Sequence, residues 1–480
     1  MKLLSILLLF GTSMTMAAQP PSDLHLPVPE LETLPNGLQL VWFVNQKLPI
    51  VDLALFVKSG SADDLPGKSG TSELLVNLLD RGAGGMNAQQ LARAVESLGA
   101  SRYAATDEET ISTGMHGLAP DAPALLELLA KIVVKPDFPE AETRREHGRL
   151  LQQWSHLADY GETLAGLTFR RIIANGTRYA RGTFLSGKEF KQVTREDVVA
   201  FHKAHFTPGN AILMIVGRVD PPEFRKQVLA HFGDWQSPSR GRATNPGRSA
   251  KNPRLVIGNQ IAVIDRPELN QAHVKIGFRA PKIDSPDHYS LVVANALLGE
   301  YFNSRLNSLI RDRMGLTYSI GSSFAYNKEL ATFSITTTTR NESVGQLIRK
   351  VLEVLRDFKN GPITEEEVAT AKEYRIGGFP LTTSTLESVA TQWLSAYAFG
   401  LGPKRLNEFI PRIAAVTRGD VSAAVNRHFD LDHLVITVAG DATEIEKSLA
   451  APGNTGGMGM KARSRLPRFK VKRIPIRDLM

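Results

Sequence analysis

The chain has 480 residues, 42% of them apolar, which fills sizeable cores and excludes an intrinsically disordered chain. It has no Cys, which excludes disulfides, a thiol nucleophile and thiolate metal ligands. The net charge of +8 is not a nucleic-acid signal: eight Lys and Arg from Lys461 to Arg477 against Asp478 supply +7, Lys2 supplies the rest, and the body between is neutral.

In chain order, MKLLSILLLFGTSMTMAAQ has one Lys, an apolar run from Leu3 to Phe10 and small residues before Gln19. This is the pattern of a secretory signal over residues 1–18, and the expected location of the mature chain is a bacterial-type periplasm. No later stretch approaches the roughly 18 apolar residues of a membrane span, so no transmembrane segment is expected. Residues 28–235 read as a first domain: two strands in Leu38 to Lys58 around a turn at Asn45 to Lys47, then helices at Ser72–Arg81, Ala88–Leu98, Ala122–Val134 and Glu140–His156, with a strand-like stretch after the second. A helix at Arg195–His205 and an apolar strand at Ala211–Val216 close it. The Pro-, Gly- and Ser-rich stretch 236–254 reads as a linker.

Residues 255–450 repeat this order, with strands near Ile261–Ile264, His273–Phe278 and Thr332–Thr338 and helices at Tyr289–Leu298, Val344–Phe358 and Glu365–Ile376. The repetition is literal in places. VTREDVVAFHKAHFTPGNAILMIVGRV from Val193 returns ungapped from Val416 as VTRGDVSAAVNRHFDLDHLVITVAGDA, matching Thr194/Thr417, Asp197/Asp420, His205/His428 and Gly217/Gly440. A fixed long period means one domain duplicated in tandem. The expected fold is α+β, an antiparallel sheet with helices packed on one face, occurring twice. Residues 451–480 read as a basic flexible tail, whose sharper alternative is docking to anionic lipid or an acidic partner.

The stretch ETLPNGLQLVWFVNQKLPIVDLALFVKSGSADDLPGKSGTSELLVNLLDRG resembles the amino-terminal half of the pitrilysin/insulinase family of zinc peptidases, which includes the mitochondrial processing peptidase subunits. LARAVESLGA, VTREDVVAFHKAHFTPGNAILMIVG and SRLNSLIRDRMGLTYSIGSSFAY carry the resemblance on, so that it spans about Leu31 to Ala442. It implies a LuxS/processing-peptidase-like metalloenzyme fold whose two halves face each other as a clamshell around extended peptide.

In that family zinc is held by an inverted H-x-x-E-H on a helix and by a more distant Glu. Aligning GTSELLVNLLDRG on the motif puts Glu73 and Asn77 at the His positions, Val76 at the general base and Gln153 at the distant ligand. Valine cannot accept a proton, and neutral amides are poor zinc ligands, so no metal is expected in this chain. Ligands act as a set: Glu73→His, Val76→Glu, Asn77→His and Gln153→Glu are expected to restore a site together and not singly. Glu146 matches a further acidic position near the family's zinc and reads here as an ordinary helix-surface charge. His202 and His205, within the repeated module, read as helix-end packing residues. H-E-x-x-H, G-x-S-x-G and P-loop motifs are absent.

The second half keeps what the first does not need. Arg311 precedes Tyr318 by seven residues, with Gly315 suited to end a helix and Tyr318 opening an alternating strand. The resemblance implies that such an Arg/Tyr pair reaches across to substrate at a zinc site, where guanidinium and phenol stabilise a developing oxyanion. It also implies that Tyr103, Ala104, Ala105 and Thr106 form an edge strand to which peptide adds. Zinc positions lost and the pair kept imply the non-catalytic subunit of a heterodimer, with zinc in the partner. The alternative is a peptide-binding or chaperone-like clamshell without protease activity.

Overall fold

The computed structural model describes residues 24–157, 159–180, 187–237, 259–451 and 469–475. The signal, all but the first two residues of the linker, and most of the tail lie outside the described residues.

The first half contributes β1 (Glu30–Thr33), β2 (Gln39–Val44), β3 (Ile50–Val57), β4 (Gly82–Ala83), β5 (Met86–Asn87), β6 (Ser101–Thr106), β7 (Ile111–Leu118) and β8 (Ala211–Gly217). The second contributes β9 (Gln260–Asp265), β10 (Gln271–Ala280), β11 (Ile320–Tyr326), β12 (Ala331–Arg340), β13 (Val435–Gly440) and β14 (Lys470–Ile474). Apart from the small β4–β5 pair, they build two six-stranded sheets, ordered β1-β2-β8-β3-β7-β6 and β14-β9-β13-β10-β12-β11. The architecture is α+β, duplicated as expected, and most pairs are antiparallel.

Two features differ from the sequence reading. β2 and β3 do not form a hairpin, because β8 lies between them, parallel to β2 and antiparallel to β3. β13 likewise separates β9 from β10. The last strand of each repeat thus sits at the middle of its sheet, where AILMIVG and VITVAG are buried at every position. An unbroken apolar run is what a strand covered on both faces requires.

Nor do the helices lie on one face only. Each half packs its own helices on one face and receives a helix of the other half on the opposite face. From the first half, the helix Gly161–Ile173 places Leu164 and Ala165 against Ile264 and Ala439, and Phe169 and Ile173 against Val435. Thr437 donates its hydroxyl to the Ala165 carbonyl at 2.8 Å. Gly277 leaves room for this helix, since a Cβ there would stand 2.8 Å from the Phe169 ring. From the second half, the helix Leu386–Ala398 packs Val389, Ala390, Trp393 and Leu394 on Val41, Phe43, Ile212, Met214 and Val216. The two crossing helices begin at Gly161 and Leu386, close to the period of the repeat.

The hairpin tips meet as well. Between β6 and β7, Glu109 is 8% exposed and accepts the Tyr179 hydroxyl at 2.6 Å and an Arg178 guanidinium N–H at 3.1 Å. From the β11–β12 tip, the Lys328 backbone N–H donates to both its carboxylate oxygens at 3.1 Å. Arg178 also pairs with Asp63 at 2.8 Å. Breaking such a buried, hydrogen-bonded charge network typically costs about 3–5 kcal/mol.

The tail is ordered in part. Lys470–Ile474 joins β9 in parallel, in the place that β1 takes beside β2, and Arg473 pairs with Asp265. Flexible is the wrong description for these five residues: the edge of β9 offers a row of unpaired backbone groups that a strand satisfies. Among the described residues no helix is long and apolar enough to cross a membrane.

Asp52 on β3 lies under the crossing helix, 3.7 Å from His116 Nδ1, and its Oδ1 has no hydrogen-bond partner. Burial, with a smaller contribution from Glu387 on that helix, raises its pKa to about 6 against the opposing effect of His116. The folded state therefore holds this proton more tightly than the unfolded state. The associated stability is full below about pH 4 and is lost as pH rises through 6. Asp52→Asn is expected to raise stability by about 2–3 kcal/mol at pH 7.5 and by nothing near pH 4, which denaturant titrations at the two pH values check.

Candidate functional site

The helix Thr71–Leu78 starts at Gly70, whose φ of +94° suits glycine and beside which a Cβ would stand 2.5 Å from the Phe190 ring. The buried Asp64 carboxylate accepts from Gly70 N–H at 2.7 Å and Ser72 N–H at 2.9 Å, satisfying donors that the first turn leaves open. Burial lifts the Asp64 pKa to about 7, against those hydrogen bonds. Leu74, Leu75, Leu78 and Leu79 enter the core, as the apolar pattern requires.

Val76, in the general-base position, is 5% exposed and belongs to the same core. Glu73 and Asn77 lie one turn apart, and the Asn77 side-chain amide donates to the Glu73 carbonyl at 2.9 Å and to its carboxylate at 3.5 Å. Burial raises the Glu73 pKa, opposed by Asn77 and by the charge of Arg149.

Arg149 comes from the facing helix, Glu140–Leu157. Its Nη2 donates to Asn77 Oδ1 at 2.7 Å, Nη1 to Gln153 Oε1 at 3.1 Å and Nε to Glu146 Oε2 at 2.7 Å. Glu146 is 2% exposed, which corrects its reading as a surface charge, and Arg81 and Arg145 approach its other oxygen at 3.3 and 3.5 Å. Of the four altered positions, Asn77 and Gln153 share one guanidinium whose charge also acts on Glu73, while Val76 belongs to the core.

These residues fit zinc poorly. The general base is apolar, two ligand positions are neutral amides, and a half-exposed guanidinium bonds both amides. Among the described residues no cluster of three or more His, Cys, Asp or Glu could hold a metal ion. His202 and His205 pack as expected: the His202 ring bonds the Val133 carbonyl at 2.8 Å and His205 bonds Ser59 Oγ at 2.9 Å.

A polar recess of about 280 Å³ lies between this helix and β6, lined by Glu73, Val76, Asn77, Ala104, Ala105 and Thr106 with Asp80, Arg81 and Arg102. Among the described residues β6 is the sheet edge and pairs only with β7, so its outer backbone groups are open to an added strand. Of the four residues expected to bind peptide, Ala104, Ala105 and Thr106 line the recess. Tyr103 does not: its ring lies over Gly114, where a Cβ would come within 2.6 Å of it.

Arg311 and Tyr318 are neighbours. A π-helical turn, Asn307–Arg313, ends before Gly315 at φ +59°. The Arg311 guanidinium lies 4.2 Å from the Phe302 ring centre and 5.8 Å from that of Tyr318. Tyr318 is 88% exposed and precedes β11 rather than opening it. The recess is lined by first-half residues only, so the pair does not join this chain's own recess. Sequence reading missed Arg149 and Phe302; Arg149 had a signal, standing three residues after Glu146 and four before Gln153, on one helix face.

Comparison with known proteins agrees with this geometry. The profile described as insulinase, peptidase family M16, matches residues 41–181, and that described as peptidase M16 inactive domain matches 192–374. An uncharacterised zinc protease of Mycobacterium leprae is 27% identical over 381 residues, covering 78% of this chain and 82% of its own. Another from Bacillus subtilis is 22% identical over 412 residues, covering 85% and 97%. Among solved structures, a peptidase M16 inactive domain from Pseudomonas fluorescens superposes with a TM-score of 0.76 at 24% identity, over 86% of this chain and 97% of that one. A protease from Helicobacter pylori gives 0.78 at 20%, over 86% and 100%. The fold is that of the two-domain M16 proteins. The chain belongs to the insulinase family, peptidase family M16, as a member without the H-x-x-E-H motif.

Purified chain, dialysed against buffer containing micromolar zinc, is expected to retain far less than one zinc per molecule. Metal analysis by mass spectrometry reads this directly, and a stoichiometric, slowly exchanging zinc would contradict it.

Proposed function

We propose that this chain is the zinc-less subunit of a periplasmic, heteromeric peptidase of its family, closing a peptide chamber on a zinc-bearing homologue. The observation that carries this reading is the asymmetry between the halves. In the first half the ligand positions carry Glu73, Asn77 and Gln153 and the general-base position carries Val76, with Arg149 bonding Asn77 and Gln153. In the second half Arg311 and Tyr318 stay together, with the phenol turned to solvent where a partner's substrate could meet it. A phenol and a guanidinium held side by side are donors for a developing oxyanion. The relatives' description as zinc proteases supports the class of reaction for the complex, with zinc in the partner. Peptide would add along β6 through its backbone, a mode that tolerates varied sequences. The heterodimer would bury a protein-sized interface, above about 1,000 Å².

The open edge of β6 also supports a second reading, a peptide-binding clamshell that works without any protease.

Kinetics of the reconstituted complex separate the two. Arg311→Ala and Tyr318→Phe are each expected to lower the partner's kcat by about 10²–10³, leaving its zinc content and the dimer intact. Unchanged kcat in both variants at saturating peptide would remove the catalytic role and leave the clamshell.

A further inference from the structure

We infer that Arg149 stands in for the metal ion: its guanidinium is the resident cation of the site and, beyond the loss of ligands, the reason that the site excludes divalent metal. This inference concerns the first half alone and holds with or without a partner subunit.

The bonding pattern is the argument. Three positions that would converge on an ion are Glu73, Asn77 and Gln153. The guanidinium bonds the side-chain oxygens of Asn77 and Gln153 through its two terminal nitrogens, at 2.7 and 3.1 Å, and its charge acts on the Glu73 carboxylate against burial. A metal site needs lone pairs pointing inward. Amide oxygens keep the lone pairs but bind zinc weakly, whereas a planar cation with five N–H donors and no acceptor uses them well.

The third bond explains why a cation is needed at all. Glu146 is almost fully buried, and its Oε2 lies 2.7 Å from Arg149 Nε. A buried carboxylate without a counter-charge is costly, and Arg149 makes the shortest of the three arginine contacts that Glu146 has. It supplies a counter-charge that no chelator removes and no ordinary pH discharges. Arg81 and Arg145 reach the other oxygen of Glu146, but neither bonds Asn77 or Gln153, so they complete the carboxylate's shell without filling the centre.

The consequence revises what the sequence alone implies. Restoring Glu73→His, Val76→Glu, Asn77→His and Gln153→Glu leaves a cation beside the new ligands, within bonding reach of two of them. The four-substitution chain is expected to bind zinc at least about tenfold more weakly than a five-substitution chain that also carries Arg149→Ala. Equilibrium dialysis with zinc alone, followed by metal analysis, measures both. Equal affinity in the two chains would overturn the inference.

A second measurement uses single variants and needs no engineered metal site. Arg149→Ala is expected to lower the melting temperature by several degrees, with no recovery on addition of zinc. Arg149→Lys, which keeps the charge but loses the fork, should recover part of the loss. An Arg149→Ala chain that melts like the parent, or that zinc restores to the parent's value, would show that the guanidinium is not the site's structural cation.

Discussion

β8 and β13 are apolar along their whole lengths and lie at the middle of their sheets, so each must be covered on both faces. One half's own helices cover one face only. The other cover comes from the opposite half, by the helix Leu386–Ala398 for β8 and Gly161–Ile173 for β13. Neither half can therefore complete its core without its counterpart, and the duplication is a structural requirement as well as a record of descent. The exchange also fixes how the halves face each other. With the crossing helices seated and the hairpin tips joined at Glu109 and Lys328, the edge strands β6 and β11 are held at set positions for any chain that docks there.

Within that frame the two halves carry different chemistry. A helix N-terminus capped by Asp64, a buried Val76 and an arginine bonded to both amide positions leave the first half a poor metal site with an open sheet edge. Such a site can hold peptide by its backbone, and its general-base position carries Val76, which cannot accept a proton. The second half offers the reverse: Arg311 braced on Phe302 beside an exposed Tyr318, donors without a reaction centre of their own. This complementarity is the basis of the proposed division of labour between two chains.

Much of this was legible in the sequence because the signals are local. Thr194 with Asp197 and Thr417 with Asp420 form the same reciprocal helix caps in both copies, and the helices Arg195–His205 and Arg418–His428 start where those residues imply. The interleaving of β8 was not legible, because strand order depends on contacts some 160 residues apart and β2 and β3 alone satisfy every hairpin signal. Tyr318 fell outside its strand because the Thr337 hydroxyl, which donates to the Ser319 carbonyl at 2.8 Å, also lies 2.9 Å from Thr317 Oγ1, holding the preceding turn so that pairing begins at Ile320. Glu146 and Gln153 were read singly. Their shared partner, Arg149, stands three and four residues from them on one helix face, but its bond to Asn77 needs the fold to bring the other helix to it.

The central claim is that this chain contributes to peptide hydrolysis only through another. The most direct measurement is a titration of purified chain into a zinc-bearing family member from the same organism, following cleavage of an unstructured peptide. The account predicts no turnover by this chain alone and a rate that rises with its addition and levels at one chain per partner. A partner whose rate is indifferent to this chain at every ratio, or hydrolysis by this chain alone, would contradict it.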